Sequence, residues 1–289
     1  MKYVFILNKF GQKDTSKIEH DIAYACIYNN YDFIIENNSN ANTTHDILNK
    51  YKYGNHIIYA VGGDGMINRV LNEIVGTNNM LGYIPYGTGN DLDRSVKESL
   101  KAGIQNLDIV KINDKYYINV ACFGIDAEIA NDDSFIHNNL IPSSQRYNAS
   151  VLYHFLKYNP KYFDVFVNDE LIKGNFTTIA VCNGKYYGGG YKIAPSALLN
   201  DGLLDVYLVE EMKKLEMAKT ILSMKDASHE KSKFVRKIST NKITINSNYY
   251  MECNIDGESY ISNIFNIEVI PNAIKFDNNQ ELIKRVLKK

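Results

Sequence analysis

Four apolar runs in the first hundred residues, Lys2–Leu7, Tyr31–Ile35, Asn55–Val61 and Leu81–Pro85, alternate with stretches of helical spacing. No other feature constrains the fold as much. Strands joined through helices pair in parallel by right-handed crossovers. Lys2–Leu7 is almost continuously apolar, as a strand covered on both faces must be. The helices are expected at Ser16–Tyr28, where Ile18, Ile22, Ala25 and Cys26 share a face, and at Thr43–Tyr51, with Thr43 or Thr44 as N-cap. Two more are expected at Met66–Val75 and Asp91–Lys101.

After about residue 105 the pattern changes. Leu107–Ile112 and Lys115–Cys122 flank Asn113-Asp114, and Phe163–Val167 and Leu171–Val181 flank Asn168-Asp169; both are hairpin signatures. Further strands are expected at Leu203–Glu210, Lys237–Asn246, Tyr249–Ile255 and Phe265–Ile270, interrupted by helices at Ser143–Tyr158 and Met212–Met224. The expected architecture is an α/β domain with a Rossmann-like parallel sheet over residues 1–120 and an antiparallel β-sandwich domain over 121–271. A helical tail within 272–289, at Asn278–Leu287, returns to the first domain. A chain of 289 residues suits two such units. With 45% apolar residues its core needs no staples.

Charge and cysteine narrow the setting. The 32 Lys+Arg against 33 Asp+Glu leave −1, which excludes a strongly basic nucleic-acid footprint on the whole-chain average. Cys26, Cys122, Cys182 and Cys253 form no C-x-x-C and read as buried thiols in a reducing cytoplasm. The N-terminal apolar run ends at Asn8, too short for a signal peptide, and no stretch approaches the roughly 18 apolar residues of a membrane span. Any lipid is therefore expected to be met from the water side.

Two turns carry the chemistry. Gly62-Gly63-Asp64-Gly65 lies between a strand and a helix start. Glycine lets the backbone approach an oxyanion, and the helix start supplies unpaired N–H groups. Asp64 either caps that helix or holds a metal or its water beside phosphates. The structural alternative is a tight turn with Asp as cap. Gly87-Thr88-Gly89-Asn90-Asp91 repeats the arrangement after the next strand, on the edge where parallel sheets bind ligands. Thr88 can donate to phosphate, and Asn90 and Asp91 can fix the loop or reach a metal-bound water. Neither turn is a Walker A loop or a G-x-G-x-x-G fingerprint.

Two later segments have plainer structural readings. Gly188-Gly189-Gly190 marks unusual torsions, and Asp201-Gly202 is a turn whose carboxylate and neighbouring carbonyls would suit Mg²⁺. Asp256-Gly257-Glu258 reads as a hairpin turn with two incidental exposed carboxylates, or as the site of a general base. The six histidines show no metal-ligand spacing.

Taken in order, GGDGMINRVLNEI, IPYGTGNDLDRS, NVACFGIDAEIA, VCNGKYYGGGYKIAPSALLNDGLLDV and NIDGE resemble the diacylglycerol kinase catalytic family, soluble bacterial lipid kinases related to sphingosine and ceramide kinases. The resemblance implies a two-domain fold like that of NAD and diacylglycerol kinases, with ATP between the domains. It implies a nucleotide loop at Gly62, Gly63, Asp64, Gly65 and Asn68, joined by Thr88, Gly89, Asn90 and Asp91. Asp64 and Asp91 match aspartates of the catalytic Mg²⁺ network. A structural Mg²⁺ would sit on Asp201 and the carbonyls of Leu198 and Leu203, and the base would be Glu258, with Asp256 beside it. Two departures stand out. The family's N-P-x-S/A-G loop reads Asn8-Lys9-Phe10-Gly11 here, leaving Lys9 and Gly11 as its phosphate contacts. Glu36-Asn37-Asn38-Ser39 holds no counterpart of a family threonine that contacts ATP.

The function so implied is transfer of the ATP γ-phosphoryl group to a lipid hydroxyl, diacylglycerol giving phosphatidic acid, in a cytoplasmic enzyme of phospholipid metabolism. Its partners would be a lipid at a membrane surface, touched peripherally, and a second copy in a homodimer, with no nucleic acid. Tyr147, Val151, His154, Phe155 and Tyr158 share a helix face that would line an acyl groove or pack on the sandwich. Lysines from Lys213 to Lys237, and the Lys284-Arg285 and Lys288-Lys289 tail, would meet anionic headgroups or simply face solvent. Two alternatives stay open: an NAD kinase-like enzyme with a soluble substrate, against which ALLNDGLLDV and GTGND argue, and a catalytically silent nucleotide-binding regulator.

Overall fold

The structure, a computed structural model, describes residues 1–9, 14–39, 43–131 and 157–288. Strands β1 (Tyr3–Asn8), β2 (Phe33–Asn38), β3 (Ile57–Gly62) and β4 (Met80–Pro85) are parallel, in the spatial order β2-β1-β3-β4. Helices α1 (Ser16–Tyr28), α2 (Thr44–Asn49), α3 (Asp64–Ile74) and α4 (Asp91–Ser99) alternate with them. On one face Phe5, Leu7, Tyr59 and Val61 pack against Ile18, Ile22 and Cys26 of α1. On the other, Val4, Ile6, Ile58 and Ala60 pack against Ile67, Val70 and Leu71 of α3. Alternate residues of β1 thus serve opposite layers, which is why it reads as an unbroken apolar run.

The remaining strands are β5 (Gly103–Ile112), β6 (Lys115–Tyr117), β7 (Val120–Gly124), β8 (Lys161–Val167), β9 (Glu170–Cys182), β10 (Leu204–Glu210), β11 (Val235–Thr240), β12 (Lys242–Ile255) and β13 (Glu258–Asn278). Their mutual pairings are antiparallel. They enclose a second core around Phe123, Phe163, Phe176 and Phe265. Phe123 and Phe265 meet edge to face at 4.8 Å, and each such ring contributes about 1.5–3 kcal/mol by burial. Helices α5 (Ile125–Asn131) and α6 (Lys214–Ser223) pack beside the sandwich, where Ile125, Tyr158 and Met217 form a small apolar cluster. Helix α7 (Gln280–Leu287) sends Leu282 and Val286 into the α1 layer.

β13 joins the two halves. Its first residues pair with β12, its end runs parallel to β4 through Phe276 and Asp277, and β5 follows it antiparallel on both sides of a register shift between Ile270 and Ile274. Pro271, which lacks an N–H, and Asn272, at φ 53°, occupy that shift.

Several element boundaries differ from expectation. Lys115–Cys122 is two strands, because the N–H groups of Ile118 and Asn119 bond to the Asp256 carboxylate instead of a neighbouring strand. Lys237–Asn246 turns back at Asn241, separating β11 from β12. The expected strand Tyr249–Ile255 is the continuation of β12 past a bulge between Asn246 and Met251. The short helix α5 escaped the sequence reading. The expected helix Ser143–Tyr158 lies outside the described residues apart from its end, so Tyr147, Val151, His154 and Phe155 are not placed. Tyr158 is buried against Ile125 and Met217.

Candidate active site

β3 ends at Gly62 and β4 at Pro85, side by side on the carboxyl edge of the parallel sheet, where the first turns of α3 and α4 begin. The two turns pack directly on each other. A Cβ at Gly87 would fall 2.4 Å from the Gly63 Cα, so no larger residue fits. Asn90, in the left-handed region at φ 53°, shapes its loop. Its Oδ1 accepts from the Gly87 N–H at 3.0 Å and the Tyr83 hydroxyl at 3.2 Å, and its Nδ2 donates to the Gly87 carbonyl at 2.9 Å. Thr88 is left exposed at the tip.

Asp64 does not cap its own helix. Its Oδ2 accepts from the Asp91 N–H and its Oδ1 from the Leu92 N–H, both at 3.0 Å, so it caps α4 across the two turns. The positive end of α4 thus faces a carboxylate. Asp91 Oδ1 pairs with Arg94 Nη1 at 2.7 Å, and its Oδ2 accepts from the Gly189 N–H at 2.7 Å. Gly188, Gly189 and Gly190 all have positive φ, 60°, 81° and 117°. That backbone, disfavoured for a residue with a Cβ, aims an N–H at Asp91. Burial raises the pKa of Asp64 and of Asp91, and the Asp64 charge raises Asp91 further. Among the described residues each oxygen of the pair accepts a hydrogen bond, and a carboxylate oxygen so engaged has a second lone pair.

Asp256 (φ 49°) and Gly257 (φ 91°) form the two-residue turn between β12 and β13. The Asp256 carboxylate is not exposed, as the simple turn reading expects; the residue is 7% accessible. It accepts from the N–H groups of Ile118 (2.8 Å), Asn119 (3.1 Å) and Val120 (2.8 Å). Burial outweighs these donors and pushes its pKa up to about 6. Glu258 is more open. Its Oε1 lies 2.7 Å from Arg69 Nη2 and so close to α3 that a Cβ at Gly65 would approach it to 2.5 Å.

This turn stands between two cavities. One, of about 190 Å³, has Asp64, Asp91 and Asp256 among its lining and is otherwise mostly apolar, with Val120, Cys122, Ile129, Tyr191 and Ile221. The other, of about 380 Å³, is lined mainly by polar residues, among them Asn38, Thr44, Asn68, Arg69 and Glu258, with Ile255 and Tyr116. Asn38 Oδ1 and Thr44 Oγ1 are buried and find no hydrogen-bond partner among the described residues, an unfinished valence that a ligand would complete.

Residues 2–118 match the diacylglycerol kinase catalytic domain, and residues 119–276 match the YegS C-terminal NAD kinase beta sandwich-like domain. The chain belongs to the diacylglycerol kinase catalytic-domain family. It is 30% identical over 241 residues to a Yersinia enterocolitica protein named "Probable lipid kinase YegS-like", covering 75% of this chain and 77% of that one. It is 28% identical over 222 residues to a Bacillus subtilis protein named diacylglycerol kinase, covering 70% and 71%. The fold matches the crystal structure of a diacylglycerol kinase from Bacillus anthracis str. Sterne with a TM-score of 0.68, over 97% of this chain and 98% of that one, at 18% identity.

Within this diacylglycerol kinase-family fold, the carboxyl edge gathers Gly62, Gly63, Asp64, Gly65, Thr88, Gly89, Asn90, Asp91, Asp256 and Glu258. Asn68 lies there too, its Nδ2 donating to the Tyr116 carbonyl at 2.9 Å. The Lys9 ammonium is paired with Glu19 at 2.9 Å, and Gly11 lies outside the described residues. Asp201, Leu198 and Leu203 belong to a separate turn. There Asp201 Oδ1 accepts from the Leu203 N–H at 3.0 Å, and buried Asp108 accepts from Gly202 (2.6 Å) and Asn272 (2.8 Å). Burial, with the charges of Asp108 and Asp205, raises the Asp201 pKa. Sequence reading missed Arg69, Arg94 and Thr44. Thr44 was read only as an N-cap candidate. Thr43 takes that role in a capping box with Asp46, leaving the Thr44 hydroxyl for the cavity.

Proposed function

We propose that this chain is an ATP-dependent lipid kinase that transfers the γ-phosphoryl group of ATP to diacylglycerol, giving phosphatidic acid. The observation that carries the reading is the apolar cavity closed at its polar end by Asp64 and Asp91, on the edge where two glycine turns meet. An acyl-bearing alcohol suits such walls, whereas a dinucleotide would leave its polar groups unpaired against Val120, Cys122 and Ile221. The polar cavity beyond Glu258 suits the nucleotide, where Thr44 and Asn38 would meet hydroxyl or amine donors.

The acceptor hydroxyl would attack the γ-phosphorus as the bond to the β–γ bridging oxygen breaks and ADP departs. Its proton passes to Glu258, the more open carboxylate of the turn, while Asp256 stays bound to three backbone N–H groups. Catalysis is then mainly positioning and charge stabilisation. Asp64 and Asp91, each oxygen keeping one lone pair, would hold a divalent cation through its waters, and that cation would neutralise charge on the phosphoryl oxygens. Asp201 with the Leu198 and Leu203 carbonyls would hold a structural Mg²⁺, relieving the crowding of Asp201 with Asp108 and Asp205.

Purified protein given labelled ATP with dispersed diacylglycerol or with NAD, and products read by mass spectrometry, tests this. Phosphatidic acid is expected, with turnover lowered on the order of 10³-fold in folded Asp64→Ala. Phosphorylated NAD as the product, or an unchanged kcat in that variant, would overturn it.

A further inference from the structure

Helix α6 presents two apolar faces. Inward, Met217 is buried against Ile125 and Tyr158, and Ile221 lines the apolar cavity with Tyr191. Outward, Leu215 and Leu222 are 68% and 61% exposed. Seven residues apart, they fall on one stripe about 10 Å long, with Lys219 between them. Exposing two leucines of one helix to water forgoes burial that either would gain in a core.

The surroundings of that stripe are basic. Residues 212–236 hold six lysines and one arginine against three carboxylates, in a chain whose total is −1. Lys213, Lys214 and Lys233 line an open notch at the start of α6, together with Phe234, Glu211 and Glu216. Lys225, just past its end, lies over the Tyr191 ring at 5.5 Å, which places a cation beside a wall of the apolar cavity. Leucines on one stripe with lysines at both ends match an interface in which side chains enter the acyl boundary and ammonium groups meet phosphates.

The geometry points to α6 as a docking helix for an anionic lipid bilayer, seated so that an acceptor lipid passes from the bilayer along Ile221 to Asp64 and Asp91. The passage to the acids rests on the lipid-kinase reading; the docking does not. Tyr249, Tyr250, Ile261 and Ile264 are also exposed, on β12 and β13, but no comparable run of lysines accompanies them in sequence.

Co-sedimentation of the full chain with vesicles tests the proposal, using phosphatidylcholine alone and phosphatidylcholine mixed with phosphatidylglycerol. The wild type should partition preferentially to the mixed vesicles. Leu215→Glu with Leu222→Glu should lower that partition more than tenfold. Lys213→Gln, Lys219→Gln and Lys225→Gln should erode the preference by about fivefold per lysine, and added salt should mimic them. The leucine variant should lose turnover on vesicle-embedded diacylglycerol and keep it on a short-chain, water-soluble one. Equal partition of wild type to both vesicles, wild-type partition of the leucine variant, or an equal loss on the soluble substrate would each overturn the proposal. Vesicle binding that behaves as described, with phosphorylation of neither lipid, would leave docking standing and defeat the lipid-kinase reading instead.

Discussion

Asp256 stands on a tight turn, yet its carboxylate is among the most buried polar groups of the site. Three backbone N–H groups bind it, and they bend the chain between β6 and β7. Its folded pKa, about 6, lies above the ordinary carboxylate value. The folded state therefore holds the proton more tightly than the unfolded chain. The stability this contributes is fully present below about pH 4 and is lost as pH rises through 6. The difference between wild type and Asp256→Asn, followed by urea unfolding from pH 4 to 7.5, should shift against wild type with rising pH by about 2 kcal/mol. A pH-independent difference would refute the assignment. Asp64 makes the same point about residues: its type and place in a glycine turn mark it as functional, whereas its partners, Asp91 and Leu92, lie 27 and 28 positions away.

At the scale of elements, the glycine turns act as a pair. Gly87 is a glycine because the Gly63 backbone occupies the space of a side chain there, whereas a Cβ at Gly63 would meet the Gly87 Cα only at an ordinary 3.6 Å. Gly87→Ala should force the turns apart and destabilise the fold by about 1–3 kcal/mol through overpacking; on the proposed kinase reading, because the N–H groups move with the turns, it should also raise the KM for ATP more than the KM for the acceptor. Thermal unfolding and steady-state kinetics of the variant check both effects. Most elements were legible from local pattern: Ser16–Tyr28 forms the expected helix, and the Asn168-Asp169 turn has both residues at positive φ as its hairpin requires. The split between β6 and β7 was not legible, since nothing within Lys115–Cys122 announces a carboxylate arriving from residue 256. Nor was the outward stripe of α6 separable from a core stripe, because leucine spacing is the same in both.

For the whole molecule, β5 and β13 run through both halves, and Asp108 ties the Asp201–Gly202 turn to the β13 irregularity through the N–H groups of Gly202 and Asn272. The two halves should therefore unfold in one calorimetric transition. Asp108→Asn should leave one of those donors facing an amide NH2 with no acceptor, and the other on a neutral oxygen, and lower the midpoint by a few degrees, at about 1–3 kcal/mol and 2–4 °C per kcal/mol for a chain of this size. Two resolved transitions in the wild type would contradict the continuous-strand account. By itself the sequence determined the alternation of strands and helices, the shift to antiparallel hairpins and the residue types of the turns, because periodicity, turn chemistry and capping act between residues a few positions apart. Only the tertiary structure decided that Asp64 caps α4, that Asp256 is buried while Glu258 pairs with Arg69, and that an apolar cavity opens beside the two acids. Those contacts join residues far apart in the chain, and their energies depend on which surfaces are withdrawn from water together.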